Sequence, residues 1–177
     1  GSNDGTVTLW DVKTGQVIRQ FSDDQPVMAV TYSPDGKTAL TGGGYRFPQK
    51  IESGHIILWT VETGQEIRRF EGQPYVVYDV EFSPDGKRAV SSGNGAMAIL
   101  WDVETGQEIR RFADYFTDNP WPIESFWDIE FGPDGRTVLG AYSKGPIVRW
   151  DAATGAQLDP LVGHVDSGAT GITFSPD

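Results

Sequence analysis

The chain has 177 residues, a net charge of −11 and no cysteine. That length can bury a real core, the missing thiols exclude disulfides and thiolate metal sites, and the acidic balance argues against nucleic acid, whose affinity rests on Lys and Arg. No apolar run approaches the roughly 20 residues of a membrane helix and no signal peptide opens the chain, so the expected setting is cytoplasmic, without a membrane partner.

In chain order, residues 1–5 read as a turn and Thr6-Val7-Thr8-Leu9-Trp10 alternates like a two-faced strand. A Lys-Thr-Gly turn leads into Gln16–Phe21, which pairs back as a hairpin. The same phrase returns as Leu58-Trp59-Thr60-Val61-Glu62-Thr63-Gly64, as Leu100-Trp101-Asp102-Val103-Glu104-Thr105-Gly106, and more loosely from Arg149-Trp150-Asp151. The tryptophans Trp10, Trp59, Trp101 and Trp150 fall 49, 42 and 49 residues apart, a period that marks a repeat architecture. Between them stand the turns Ser33-Pro34-Asp35-Gly36, Ser83-Pro84-Asp85-Gly86 and Gly132-Pro133-Asp134-Gly135, in which Pro presets φ and Gly accepts positive φ. Segments such as 75–82 are rich in β-branched and aromatic residues. Each period therefore predicts four strands, and no stretch predicts a helix.

These recurring Trp-Asp pairs, the Ser-Pro-Asp-Gly turns and Gly163-His164 resemble the WD-repeat β-propellers, with bacterial members especially similar in their Asp-Val-Glu-Thr-Gly-Gln-Glu turns. The resemblance implies an all-β fold of four-stranded antiparallel blades. It divides the chain into a partial blade at 1–21, blades at 22–70, 71–112 and 113–161, and the first strand of a further or split blade at 162–177. About four repeats are expected, as a piece of a longer ring or array completed by further blades or a second copy. In the family a His, a strand Ser or Thr, a turn Asp and the Trp form a buried relay. Here that relay is expected to be complete only if His164 and Asp4 share a blade. Asp4, Trp10, Asp11, Trp59, Trp101, Asp102, Trp150, Asp151 and His164 are accordingly read as structural, and His55 as a solvated strand residue.

Two insertions, 42–54 and 113–125, leave between second and third strands and between blades, which in a four-stranded meander is one rim. Insertions confined to one rim mark a binding face. The candidates there are Tyr45, Arg46 and Phe47, Tyr115, Phe116 and Trp121, and the strand starters Met28, Tyr78 and Trp127. The loop aromatics either pack their own loops or meet a partner; Tyr78 and Trp127 suit an interface centre.

Catalysis finds little support. Two histidines form no zinc constellation, and the Asp-Gly turns lack the alternating ligands of a calcium loop. No serine has a nucleophile-elbow setting. The expectation is a non-catalytic scaffold for a protein or peptide, with no metal and no cofactor. The alternatives are a regulatory or sensor propeller of a larger signalling enzyme or nucleotide-switch ATPase, and less favoured, a hydrolase using channel carboxylates such as Asp79 and Asp128.

Overall fold

A computed structural model describes residues 1–45, 54–113, 125–143, 145–163 and 168–175. The described residues form strands and turns, with no helix among them. The strands are β1 (Thr6–Asp11), β2 (Gln16–Ser22), β3 (Val27–Tyr32), β4 (Thr38–Gly44), β5 (Gly54–Thr60), β6 (Glu66–Phe70) and β7 (Val77–Phe82). They continue as β8 (Arg88–Gly93), β9 (Met97–Asp102), β10 (Glu108–Ala113), β11 (Phe126–Phe131), β12 (Thr137–Tyr142), β13 (Ile147–Asp151) and β14 (Gln157–Leu161). Strands β3–β6, β7–β10 and β11–β14 each make a four-stranded antiparallel meander, and β1 and β2 pair alone. The expected all-β, blade-like architecture is thus present, with one sheet of two strands.

The turns explain the registers. Ser33 Oγ donates to Asp35 Oδ1 (2.7 Å), the Thr38 amide donates back to Ser33 Oγ (3.0 Å), and Gly36 closes the turn at φ 70°. Ser83, Asp85 and Arg88 repeat the arrangement. At the other hairpin, the Asp after Trp10, Trp101 and Trp150 caps the turn, while Thr60 stands in that place after Trp59. Asp102 Oδ1 accepts from the Thr105 amide (2.7 Å) and hydroxyl (2.8 Å), and Asp151 does the same for Thr154. Such Asx bonding is the local chemistry that favours Asp in turns. Asp4 caps its own turn too, accepting from the amide and hydroxyl of Thr6.

The first strands β3, β7 and β11 of successive sheets lie against one another and form the inner layer. The core fills the gaps between sheets. Leu40, Ile56, Phe70, Val80, Ile99 and Trp101 share one cluster, while Leu100, Phe112, Phe126, Ile129 and Trp150 share the next. Phenylalanines on the last strands of three sheets cover the tryptophans of the sheets that follow. Phe21 meets Trp59 at 5.0 Å between ring centroids, Phe70 meets Trp101 at 5.8 Å, and Phe112 meets Trp150 at 5.3 Å. Trp59, Trp101 and Trp150 are accordingly buried. Trp10 departs from the expectation: it is 55% exposed, because no phenylalanine-bearing strand lies over it.

A second junction contact was not legible beforehand. Arg68 Nη1 donates to the Thr105 carbonyl of the next sheet (2.8 Å), Arg19 Nη1 to that of Thr63 (3.2 Å), and Arg110 Nη2 to that of Ala153 (2.8 Å). The arginine stems lie over Gly64, Gly106 and Gly155, all at positive φ.

His164 lies outside the described residues, and hydrogen-bonded indoles occur in two other sheets. Trp59 Nε1 donates to Thr41 Oγ1 (2.8 Å). Trp101 Nε1 donates to Ser91 Oγ (2.9 Å), which donates to Gln73 Oε1 (3.1 Å). Gln73 thus provides the acceptor in a loop that has no histidine. In the third sheet Gly140 stands at the hydroxyl position, and the Trp150 indole N–H has no partner among the described residues.

Candidate binding rim and the acidic column beneath it

One rim gathers the connections between second and third strands with those between sheets. Asn94, in the β8–β9 turn, bridges to Ser125 at the entry to β11, and Ser125 Oγ donates to Asn94 Oδ1 (3.2 Å). The Gly44 amide likewise donates to the carbonyl of Pro26 just before β3 (3.1 Å). Both insertions therefore open beside the starts of inner strands.

Met28, Tyr78 and Trp127 occupy equivalent positions on β3, β7 and β11. The phenol of Tyr78 stacks on the indole of Trp127 with centroids 4.8 Å apart and planes 25° from parallel. Trp127 and Met28 remain partly exposed, so the stack presents an aromatic surface to solvent. Tyr45 is exposed at the edge of the first insertion, its hydroxyl donating to the Asp24 carbonyl (3.2 Å). Arg46, Phe47, Tyr115, Phe116 and Trp121 lie outside the described residues.

Directly below this row, inner-strand carboxylates link successive sheets. Asp79 Oδ2 accepts from the Ile129 amide (3.0 Å), and Asp128 Oδ2 from that of Ile172 (2.7 Å). Two residues on, Glu81 accepts from the Phe131 amide, and Glu130 accepts from the Thr173 hydroxyl (3.3 Å) and the Phe174 amide. The segment 171–174 therefore follows β11 as β11 follows β7. Burial pushes Asp79 up to about 8, helped by its hydrogen bond to the Asp128 carboxyl and by that group's charge. Burial pushes Glu81 up to about 7, against the Phe131 amide and with the charges of Glu130 and Asp128. Asp79 is therefore mostly protonated at neutral pH, able to donate to Asp128, while Glu81 titrates through that range.

His55 is the clearest departure from expectation. It is buried on β5, with Nε2 2.7 Å from Asp23 Oδ2, whose side chain is fully enclosed. Arg69 Nη1 approaches the same carboxylate at 3.8 Å and binds Glu66 with two further nitrogens. Burial pushes Asp23 up, but the hydrogen bonds from His55 and the Asp24 amide, with the attraction of His55, bring it down to about 2. In the sequence Asp24-Gln25 stands in the place of Gly-His, and nothing local links the preceding Asp23 to His55.

Among the described residues no group of three or more His, Cys, Asp and Glu side chains is placed to hold a metal, and no helix is long and apolar enough to cross a membrane.

Blade-like meanders in series, each covering the next one's tryptophan, define a repeat protein of β-propeller blades. The family model for the WD domain, G-beta repeat, matches residues 15–60 and 64–102, and these repeats are of the WD-repeat family. The β11–β14 sheet, beyond the matched residues, has the same strand order. No curated protein matches the chain. WD repeats generally serve as protein-interaction scaffolds and are typically non-catalytic.

Proposed function

We propose that the chain binds a protein or peptide on the rim that carries the two insertions. The observation behind this reading is the Tyr78–Trp127 stack, half-open to solvent where the insertions emerge. Stacked aromatics give large contact area at low entropic cost, and such residues dominate interface energetics. The opposite rim offers only short turns whose side chains cap their own backbone. A hydrolytic role for Asp79 and Asp128 finds less support, because both already accept from the next strand's amides.

The test uses peptides selected against the chain from a display library, titrated calorimetrically. A Tyr78→Ala, Trp127→Ala double variant is expected to lose about 2–4 kcal/mol of affinity. A Glu62→Ala, Glu104→Ala control on the turn rim leaves affinity unchanged. If the control abolishes binding while the double variant retains it, the partner uses the other rim.

A further inference from the structure

Tyr78 and Trp127 are each the extra residue of a β-bulge. On β7, Val77 and Asp79 face consecutive partners on β8, Gly93 and Ser92, and Tyr78 is the additional residue between them. On β11, Phe126 and Asp128 face Tyr142 and Ala141, and Trp127 is added in the same way. A bulge bends its strand and re-aims the side chain it carries. The place of each ring therefore depends on the residue that ends the bulge, Asp79 beside Tyr78 and Asp128 beside Trp127. These two carboxyls are hydrogen-bonded to each other across the β7–β11 junction, directly beneath the 4.8 Å stack.

That hydrogen bond needs a proton, because two ionised carboxylates are acceptors only. The charges acting on Asp79, Glu81 and Glu130 are those of the carboxylates Asp128 and Glu130, with no cation among them. β3 and β4 bring no charged residue to β7, and Ala29 stands on β3 in the place of Asp79; the titratable group of β3 is the Tyr32 phenol at its far end. Of the other strands packed on β7, β5 carries His55, engaged with Asp23, and β8 carries Arg88, which donates to the Gly135 carbonyl. Residues 171–174 add no charge. Nothing on these elements takes over from the proton once it leaves.

We propose that the Asp79–Asp128 pair is a pH-sensitive latch on the aromatic row. While the pair shares a proton, the two bulges stay drawn together and Tyr78 lies on Trp127. Once the proton is lost, the carboxylates repel, the bulges part and the stack opens. Two like charges at hydrogen-bond distance in a partly buried site repel by more than an offset ring pair attracts. The amides of Ile129 and Ile172 keep their acceptors in either state, so the movement is confined to the bulges and the sheets stay intact. Its consequence for binding rests on the reading of this row as the binding surface. An open stack offers a partner two separated rings in place of one continuous face, so rim affinity falls as pH rises through the titration of the pair.

The Trp127 indole reports the latch through the ring-current shift that the Tyr78 phenol imposes on it. In nuclear magnetic resonance of the full chain with isotope-labelled tryptophan, the Trp127 signal is assigned from Trp127→Phe. It is expected to titrate once, near pH 8, toward its position in Tyr78→Ala. Asp79→Asn and Asp128→Asn each replace the shared proton by an amide donor, and each should hold the signal at its low-pH position throughout. Rim-selected peptides with no side chain that titrates in this range should bind the wild type about tenfold more weakly at about pH 9 than at about pH 6.5, the scale of one aromatic contact. They should bind Asp79→Asn equally at both. A Trp127 signal that stays fixed in the wild type, or that titrates alike in both Asn variants, overturns the proposal, as does a pH-dependent affinity that survives Asp79→Asn. Peptides found on the turn rim would sink the rim reading alone, since the resonance titration needs no partner.

Discussion

His55 on β5 and Asp23 in the loop before β3 form a buried contact, Nε2 to Oδ2, of 2.7 Å. The pair ties the entry of the first inner strand to the third strand of the same sheet. A buried carboxylate left without its partner costs far more than the pair contributes, typically about 3–5 kcal/mol. His55→Ala is therefore expected to destabilise the chain by roughly 3 kcal/mol in urea unfolding at neutral pH. Full stability in that variant would mean that Arg69 alone satisfies Asp23.

The same carboxylate sets an acid limit. Asp23 sits at about 2 in the folded chain against an ordinary 3.8, so the unfolded state takes up the proton first. Its contribution is complete above the unfolded value and is lost as pH falls through the folded one. Unfolding free energy should thus drop between about pH 4 and pH 2, and Asp23→Asn should flatten that part of the profile.

The tryptophans should separate into two classes. Trp101 is fully buried and hydrogen-bonded to Ser91, so Trp101→Ala is expected to cost about 3–5 kcal/mol. Trp10 holds the same place in its repeat but is largely exposed, so Trp10→Ala should cost less than about 1 kcal/mol in dilute solution. Equal losses from chemical denaturation would show that Trp10 is covered as the others are.

Glycines in two kinds of turn give a matched comparison. Gly36 and Gly106 both have positive φ, 70° and 74°, but a Cβ on Gly36 meets open space while one on Gly106 meets Arg68 Cδ at 2.6 Å. Gly36→Ala should cost about 1 kcal/mol for the backbone alone. Gly106→Ala also displaces the guanidinium that holds the Thr105 carbonyl, and should cost about 2–3 kcal/mol. In an Arg68→Ala background the cost at Gly106 should fall to the Gly36 value, a coupling read by double-mutant cycle.

What could be read beforehand was what is local. The Ser-Pro-Asp-Gly and Asp-x-x-Thr-Gly turns close their hydrogen bonds within a few residues, so residue type alone discloses them. The tryptophan period discloses the sheets, and the equivalent places of Tyr78 and Trp127 as strand starters put them on one row, where they stack. What stayed hidden spans sheets. The Arg68 clamp reaches a carbonyl 37 residues on, and nothing in the segment Glu66-Ile67-Arg68-Arg69-Phe70 says which of its two arginines turns to the neighbour. His55 was misread because its partner comes from a loop where the repeat pattern expects a histidine, not an aspartate. Trp10 was misread for a different reason, since a repeated position reports shape and not whether a neighbour covers it.

The inner column should make stability fall as pH rises, the opposite of Asp23. Asp79 accepts from the Ile129 amide and bonds the Asp128 carboxyl, and burial with that neighbour raises it from 3.8 to about 8. Glu81, raised to about 7, and Glu130 stand in the same column. Below the unfolded value both states carry the proton and nothing is lost. Between that value and the folded one, the unfolded chain ionises while the folded chain holds its proton, so unfolding becomes progressively easier. The penalty is complete once pH has passed the folded value. Asp79→Asn keeps a carbonyl for the Ile129 amide and provides a permanent donor toward Asp128, reproducing the protonated state. It is expected to stabilise the chain at pH 8 by about 2 kcal/mol, to change little at pH 4, and to flatten the slope between them. Urea unfolding at several pH values across that interval measures all three. A variant less stable than the wild type at pH 8 would show that the Asp79 carboxylate is charged there and that the column is held by ions rather than by a shared proton.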